Sequence, residues 1–256
     1  MLTIIEKKSL SGVSAGKSKD VLGKNFEERV ANILCHVENL EKLRNPTKPI
    51  VGLHFGMFHT ITTALIPNST QILKIEASSD RKTIGKLPSG GNPKTDVLVK
   101  ITIANGDIHT FTISCKRTNS QVVSVHQYSA YAFSDVLNPA DTDLRKLLSM
   151  FQETPSLSNF GDENIDRLTA AISPYLKELT FWVLEGVGGG GNPTTQWSTH
   201  LLTYNDESDV FSMYTLEEYY NKLIENDIKG HFGTFFSWTY ASKQRGKSIQ
   251  LKCKII

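Results

Sequence analysis

Residues 95–116 read TDVLVKITIANGDIHTFTISCK, and this stretch decides the fold. Val97, Val99, Ile101 and Ile103 alternate with Leu98, Lys100 and Thr102; beyond Asn105-Gly106-Asp107, Phe111, Ile113 and Cys115 alternate with Thr110, Thr112 and Ser114. Period-two alternation on both sides of a turn tripeptide predicts an antiparallel β-hairpin. A slip of one residue would turn one strand inside out, so the odd-numbered apolar positions must face one another. That parity excludes a two-residue turn centred on Asn105-Gly106 and favours a three-residue loop over 105–107. Lys116 is then expected opposite Asp96, and Ser114 opposite Leu98. One end of the polar face gathers a carboxylate, an ammonium and a hydroxyl, while the other face is core.

A carboxylate beside a lysine at adjacent strand ends suits metal-assisted phosphodiester hydrolysis, since an Asp can hold Mg²⁺ while a Lys positions or activates the attacking water. The same pair also reads as a plain cross-strand ion pair, worth about 0.2–1 kcal/mol. The choice between the two readings rests on the rest of the chain.

That chain has 256 residues, 28 basic against 26 acidic side chains and 39% apolar residues, the makeup of one soluble globular domain, 1–256, with a sizeable core. No stretch approaches the roughly 20 apolar residues of a membrane span, and the N-terminus lacks a signal-peptide run, so export and membrane insertion are not expected. Cys35, Cys115 and Cys253 are odd in number and far apart, which excludes a disulfide framework and a Cys-x-x-Cys zinc site. A cytoplasmic location is expected. Charge is unevenly spread: residues 1–150 carry 19 basic and 13 acidic groups, 151–227 carry 3 and 13, and 228–256 carry 6 and none. A tail with Lys229, Lys243, Arg245, Lys247, Lys252 and Lys254 can neutralise several phosphates; a solvated basic edge has the same composition.

Residues 1–19 read as a loosely held arm leading to a helix capped by Ser18 or Asp20. Phe26, Val30, Ile33, Val37 and Leu40 give that helix one buried stripe, ended by Pro46 and Pro49. On it Glu27 lies at the edge of the stripe with Ala31 and Leu34, whereas Glu28 falls on the wet side with Asn32 and Asn39. A short strand is expected near 70–76, helices over 141–152 and 163–178 with a break at Pro174, and strands over 180–187, 198–204 and 209–214. Thr215 and Glu218 form a capping-box pattern for a further helix that Gly230 should stop. Gly188–Gly191 reads as a loop between two strands, because a phosphate cradle needs Lys-Ser or Lys-Thr next and Asn192-Pro193 follows. His54 and His59 lack zinc spacing and a third ligand, so they read as structural.

The run Gly90-Gly91-Asn92-Pro93-Lys94-Thr95-Asp96, the Lys116 strand with Ser124 beyond it, and the tail Phe232-Gly233-Thr234 with Trp238-Thr239-Tyr240-Ala241-Ser242 together resemble the MspI family of type II restriction endonucleases. Gly23-Lys24 and Phe26-Glu27 fit the N-terminal helix of that family, and the matches run in order from residue 23 to residue 253. The resemblance implies an α/β restriction-endonuclease-like PD-(D/E)xK fold, a mixed β-sheet flanked by helices, and Mg²⁺-dependent cleavage of double-stranded DNA. It implies Asp96 as metal ligand, the Cys115 carbonyl as a second ligand, Lys116 as catalytic lysine, and Glu27 approaching from the first helix. The acid usual two residues before the lysine is Asn in the MspI family and Ser114 here, a hydroxyl that can orient water but supplies no charge.

In the tail, small hydroxyls and amides accompany the basic groups, as base-edge readers do. Ser124, Thr239, Ser242, Gln250 and Lys252 occupy positions that resemble the family's base contacts, which implies the palindrome CCGG, with another short GC-rich site as the alternative. Trp238 and Tyr240 are expected to pack the loop. A companion methyltransferase acting on the same site is implied, with the nuclease a monomer or homodimer. The departure at Ser114 leaves a second class open, a DNA-binding module without catalysis.

Overall fold

The computed structural model describes residues 15–118, 122–154, 156–240 and 244–256, with side chains from residue 21 onward. Among the described residues the strands are β1 (Ile72–Ser78), β2 (Val97–Ile103), β3 (Ile108–Thr118), β4 (Val122–Tyr128), β5 (His200–Asn205), β6 (Val210–Thr215), β7 (Phe236–Thr239) and β8 (Ile249–Lys254). The chain divides into two compact units, Met1–Ser120 with Gly190–Leu216, and Gln121–Gly189 with Glu217–Ile256.

The first unit is built on a mixed five-stranded sheet in the order β1-β2-β3-β5-β6, antiparallel throughout except for the parallel pair β3–β5. The helix Ala15–Cys35 packs across β1, β2 and β3, and the helix Phe55–Leu65 against β6. Phe26, Val30 and Ile33 from the first helix meet Val97, Val99, Ile101 and Ile113 from the hairpin in one core. Each such side chain contributes roughly 1.5–3 kcal/mol by leaving water.

The first helix departs from expectation at both ends. It begins at Ala15, so Ser18 and Asp20 lie inside it rather than at its cap, and residues 1–14 of the expected arm lie outside the described residues. It stops at Cys35 because His36 takes an extended conformation, and a separate helix follows over Val37–Arg44. The restart rotates the stripe: Val37 is exposed, while Asn39 is buried and donates to the carbonyls of Ile33 and Leu53 at 2.9 and 2.8 Å.

Hairpin parity holds, but the loop sits one residue earlier than expected. Val97 pairs with Ile113 and Thr102 with Ile108, and the Ile103 N–H donates to the Asp107 carbonyl at 3.0 Å, which leaves 104–106 as the three-residue loop. The reason is Gly106, which takes the left-handed position at φ 91° as the last loop residue, where a side chain would be strained. Asn105 locks the turn, its Oδ1 accepting from the Asp107 N–H at 2.9 Å.

The second unit carries an antiparallel three-stranded sheet, β4-β8-β7, with the helices Ala130–Leu137, Thr142–Glu153, Asp162–Ile172 and Leu176–Glu185. Pro174 lies in a 3₁₀ turn between the last two, the expected break. Residues 180–187, expected as a strand, belong instead to the helix Leu176–Glu185, and Gly186 caps it in the left-handed conformation. A short continuous apolar run carries no period, and Leu179, Trp182, Val183 and Leu184 are buried nearly all round the helix. The Gly188–Gly191 loop therefore follows a helix, not a strand. The helix Leu216–Glu225 starts directly after Thr215 but ends before Gly230. Gly230 serves a close approach: a Cβ there would fall 2.0 Å from the Phe236 carbonyl oxygen.

Candidate active site

The hairpin brings Asp96, Ser114 and Lys116 together at one end of the first unit's sheet. Asp96 stands just ahead of β2, with its N–H bonded to the Ile113 carbonyl at 2.9 Å. Continuing the β2–β3 register puts Ser114 beside Asp96, so Lys116 is a diagonal neighbour and not the directly facing residue expected. The two charges still meet, Lys116 Nζ lying 3.3 Å from Asp96 Oδ2. Lys116 also donates to Ser114 Oγ at 2.7 Å and to the Cys115 carbonyl at 3.1 Å. Asp96 Oδ2 accepts from the Cys115 N–H at 2.8 Å.

Glu27 reaches the same place from the first helix, where Glu28 stays exposed. Arg81 joins the two carboxylates: its Nη2 lies 2.9 Å from Glu27 Oε2 and 3.0 Å from Asp96 Oδ1, and its Nη1 donates to the Thr95 carbonyl at 3.0 Å. Arg81 opens the four-residue helix Arg81–Ile84, capped by Asp80, whose Oδ1 accepts from the Lys82 N–H at 2.9 Å. No motif or period singled Arg81 out in the sequence.

Burial dominates the electrostatics. It pushes the Glu27 carboxyl up to about 7, helped by the negative charge of Asp96 and opposed by Arg81 and Lys116. Lys94 is pushed down to about 7 by burial and by the like charge of Lys116. The Cys115 thiol, raised well above its ordinary value by burial, stays a thiol and packs in the core. Clustered groups of this kind, with pKa values driven toward neutrality in opposite directions, are what proton-handling sites display. Among the described residues no three His, Cys, Asp or Glu side chains form a metal cluster, so a metal here would rest on Asp96, Glu27 and backbone or water oxygen. His54 and His59 likewise belong to no such cluster.

In the second unit the polar face of the small sheet collects four of the five expected base readers. Strand pairing aligns Ser124, Lys252 and Ser237 on one rung and Gln127, Gln250 and Thr239 on the next. Trp238 and Leu251 alternate with these to the buried side. Ser242 lies outside the described residues. Ser237 and Gln127 share this face without having been singled out in the sequence, although period-two alternation from Thr239 points to Ser237. Trp238 is buried, its Nε1 donating to Thr234 Oγ1 at 2.9 Å, and Tyr240 stacks on Phe151 with ring centroids 5.5 Å apart, so both pack inward as expected.

Comparison with known proteins fits this arrangement. The family described as restriction endonuclease MspI matches residues 2–253. The type II restriction enzyme MspI of Moraxella sp is 25% identical over 243 residues, covering 93% of this chain and 91% of that protein. The type II restriction enzyme BsuFI of Bacillus subtilis is 28% identical over 97% of this chain, which spans 62% of that protein's length. A crystal structure of MspI in complex with its cognate DNA superposes with a TM-score of 0.78 at 22% identity, covering 98% of this chain and all of that one, which establishes the restriction-endonuclease fold. From a family match that takes in Glu27, Arg81, the Asp96–Lys116 strand ends and the small sheet, it follows that the chain belongs to the MspI family of restriction endonucleases and is a type II restriction enzyme.

Proposed function

We propose that the enzyme hydrolyses phosphodiester bonds of double-stranded DNA at CCGG, using Mg²⁺ held by Asp96, Glu27 and the Cys115 carbonyl. The observation that carries this reading is the convergence of Glu27, Asp96 and Lys116 within one hydrogen-bonded group. The donors fit a divalent ion, because one cationic nitrogen, Arg81 Nη2, already bonds both carboxylates. Mg²⁺ commonly rests on one or two carboxylates and fills its remaining positions with water and substrate phosphate. When bound, the ion supplies positive charge that favours hydroxide over water and stabilises the phosphoryl oxygens.

Lys116 does the positioning. Tied to Ser114, Asp96 and the Cys115 carbonyl, its ammonium has all three N–H donors engaged and places a fixed positive charge where the scissile phosphate and the attacking water would meet it. Ser114 supplies a neutral hydroxyl that orients the ammonium without adding charge. Ser124, Thr239, Gln250 and Lys252 read base edges from the face of the small sheet, with Ser242 beside them in the family's pattern; lysine donates to guanine O6 and N7, and hydroxyls or amides serve the remaining edges. The MspI structure solved with cognate DNA supports this interface. Free Cys35, Cys115 and Cys253 suit the cytoplasm, where a companion methyltransferase would protect host sites. Among the described residues no helix is long and apolar enough to cross a membrane.

Plasmid DNA incubated with the enzyme in Mg²⁺ or in EDTA tests the reading. Cleavage in Mg²⁺ alone, with sequenced termini mapping to CCGG, is expected. Termini at another GC-rich site would reject the target and keep the nuclease, whereas specific binding without cutting would favour the catalytically silent reading.

A further inference from the structure

Arg81 stands where a metal would. Its Nη2 bridges Glu27 Oε2 and Asp96 Oδ1 at 2.9 and 3.0 Å, so one nitrogen satisfies the two carboxylates nearest the proposed metal position. The Glu27 and Asp96 side chains are only 14% and 11% exposed, and two carboxylates this poorly hydrated repel each other unless a cation lies between them. The Arg81 side chain is 33% exposed and is carried on a helix of four residues, so it is more open to solvent than either carboxylate side chain.

Resting on the metal site proposed above, we propose that Arg81 is a reserve cation. It holds Glu27 and Asp96 in place while the metal is absent, and divalent metal binds by displacing its Nη2 from the Asp96 carboxylate. Arg81 is thus a positioning residue that sets how much metal is needed to assemble the site. A cation that must be displaced weakens the apparent affinity of the ion that replaces it, because the metal gains only the difference between its own interaction and the one it breaks. Lys116 does not substitute, since its ammonium contacts the other oxygen of Asp96.

Mn²⁺ binding to the whole enzyme without DNA, followed by the electron paramagnetic resonance of the free ion, tests the proposal. Arg81→Ala and Arg81→Gln should bind Mn²⁺ about tenfold more tightly than the parent, a change of the size produced by altering a metal ligand's immediate partner. Arg81→Lys, which retains the charge, should stay near the parent. In chelator, Arg81→Gln should melt below the parent, and saturating Mn²⁺ should close the gap. Unchanged or weaker Mn²⁺ binding in both neutral variants would overturn the proposal. Asp96→Ala separates the two levels of inference: if it binds Mn²⁺ as the parent does, the metal reading falls and takes the proposal with it. If binding depends on Asp96 but ignores Arg81, the reserve cation alone is refuted.

Discussion

Lys116 touches Asp96, Ser114 and the Cys115 carbonyl at once, and in the proposed mechanism its removal separates chemistry from recognition. Lys116→Ala should lower the cleavage rate by about 100-fold or more. Specific DNA binding should stay within about tenfold, because no base contact is lost. Single-turnover cleavage beside a binding titration in Ca²⁺ checks both, and near-normal cleavage would remove Lys116 from the mechanism. Glu27 and Lys94 leave a second mark at this scale. Folded Glu27 holds its proton up to about 7 whereas the unfolded chain releases it near the ordinary carboxylate value, so its contribution to stability is full at acid pH and is lost as pH rises to about 7. Folded Lys94 gives up its proton near 7 while the unfolded chain keeps it to higher pH, so stability is regained as pH rises from about 7 toward the ordinary lysine value. The metal-free protein should therefore show a dip in unfolding free energy near neutrality. Urea denaturation across pH should lose the acid limb of that dip in Glu27→Gln and the alkaline limb in Lys94→Met.

Among the elements, the β2–β3 hairpin and the small sheet depend on different features. Gly106 sits at φ 91°, a conformation a β-branched residue resists, so Gly106→Val should destabilise the enzyme by about 1–2 kcal/mol while leaving the active-site residues untouched. The urea midpoint should fall with the slope unchanged, and an unaltered midpoint would mean that the turn adjusts freely. On the small sheet, Lys252 lies on the central strand between Ser124 and Ser237. Lys252→Ala should cost about 1–3 kcal/mol in binding CCGG and far less on random DNA. Lys229 is exposed and paired with Asp227 at 2.9 Å; if it meets only phosphate, Lys229→Ala should weaken both substrates alike and reduce the salt dependence. Equal losses for the two variants would argue that the sheet face meets only backbone.

For the molecule as a whole, the proposed metal site would link metal binding to stability. An ion that binds only the folded enzyme raises its stability in proportion to the logarithm of ion concentration. Millimolar Mg²⁺ should raise the melting temperature of the parent and leave that of Asp96→Ala where it was, as read by calorimetry. A shift that survives in Asp96→Ala would place the ion elsewhere on the protein.

The sequence by itself determined the hairpin, its two faces and the gathering of a carboxylate, a hydroxyl and a lysine at one of its ends. Alternation of side chains across a pleated strand is a local property, and so is the turn chemistry of Asn105-Gly106. It also separated Glu27 from Glu28, because helical periodicity assigns faces without knowledge of what they face. Tertiary structure decided the rest. The first helix broke at His36 where no proline or glycine announced it. The apolar run at 180–187 became a helix because burial on most sides erases the period that distinguishes helix from strand. Arg81 remained invisible for the most general reason: its partners lie 54 and 15 residues away, and an ion pair across such distances leaves no pattern in a chain read one window at a time.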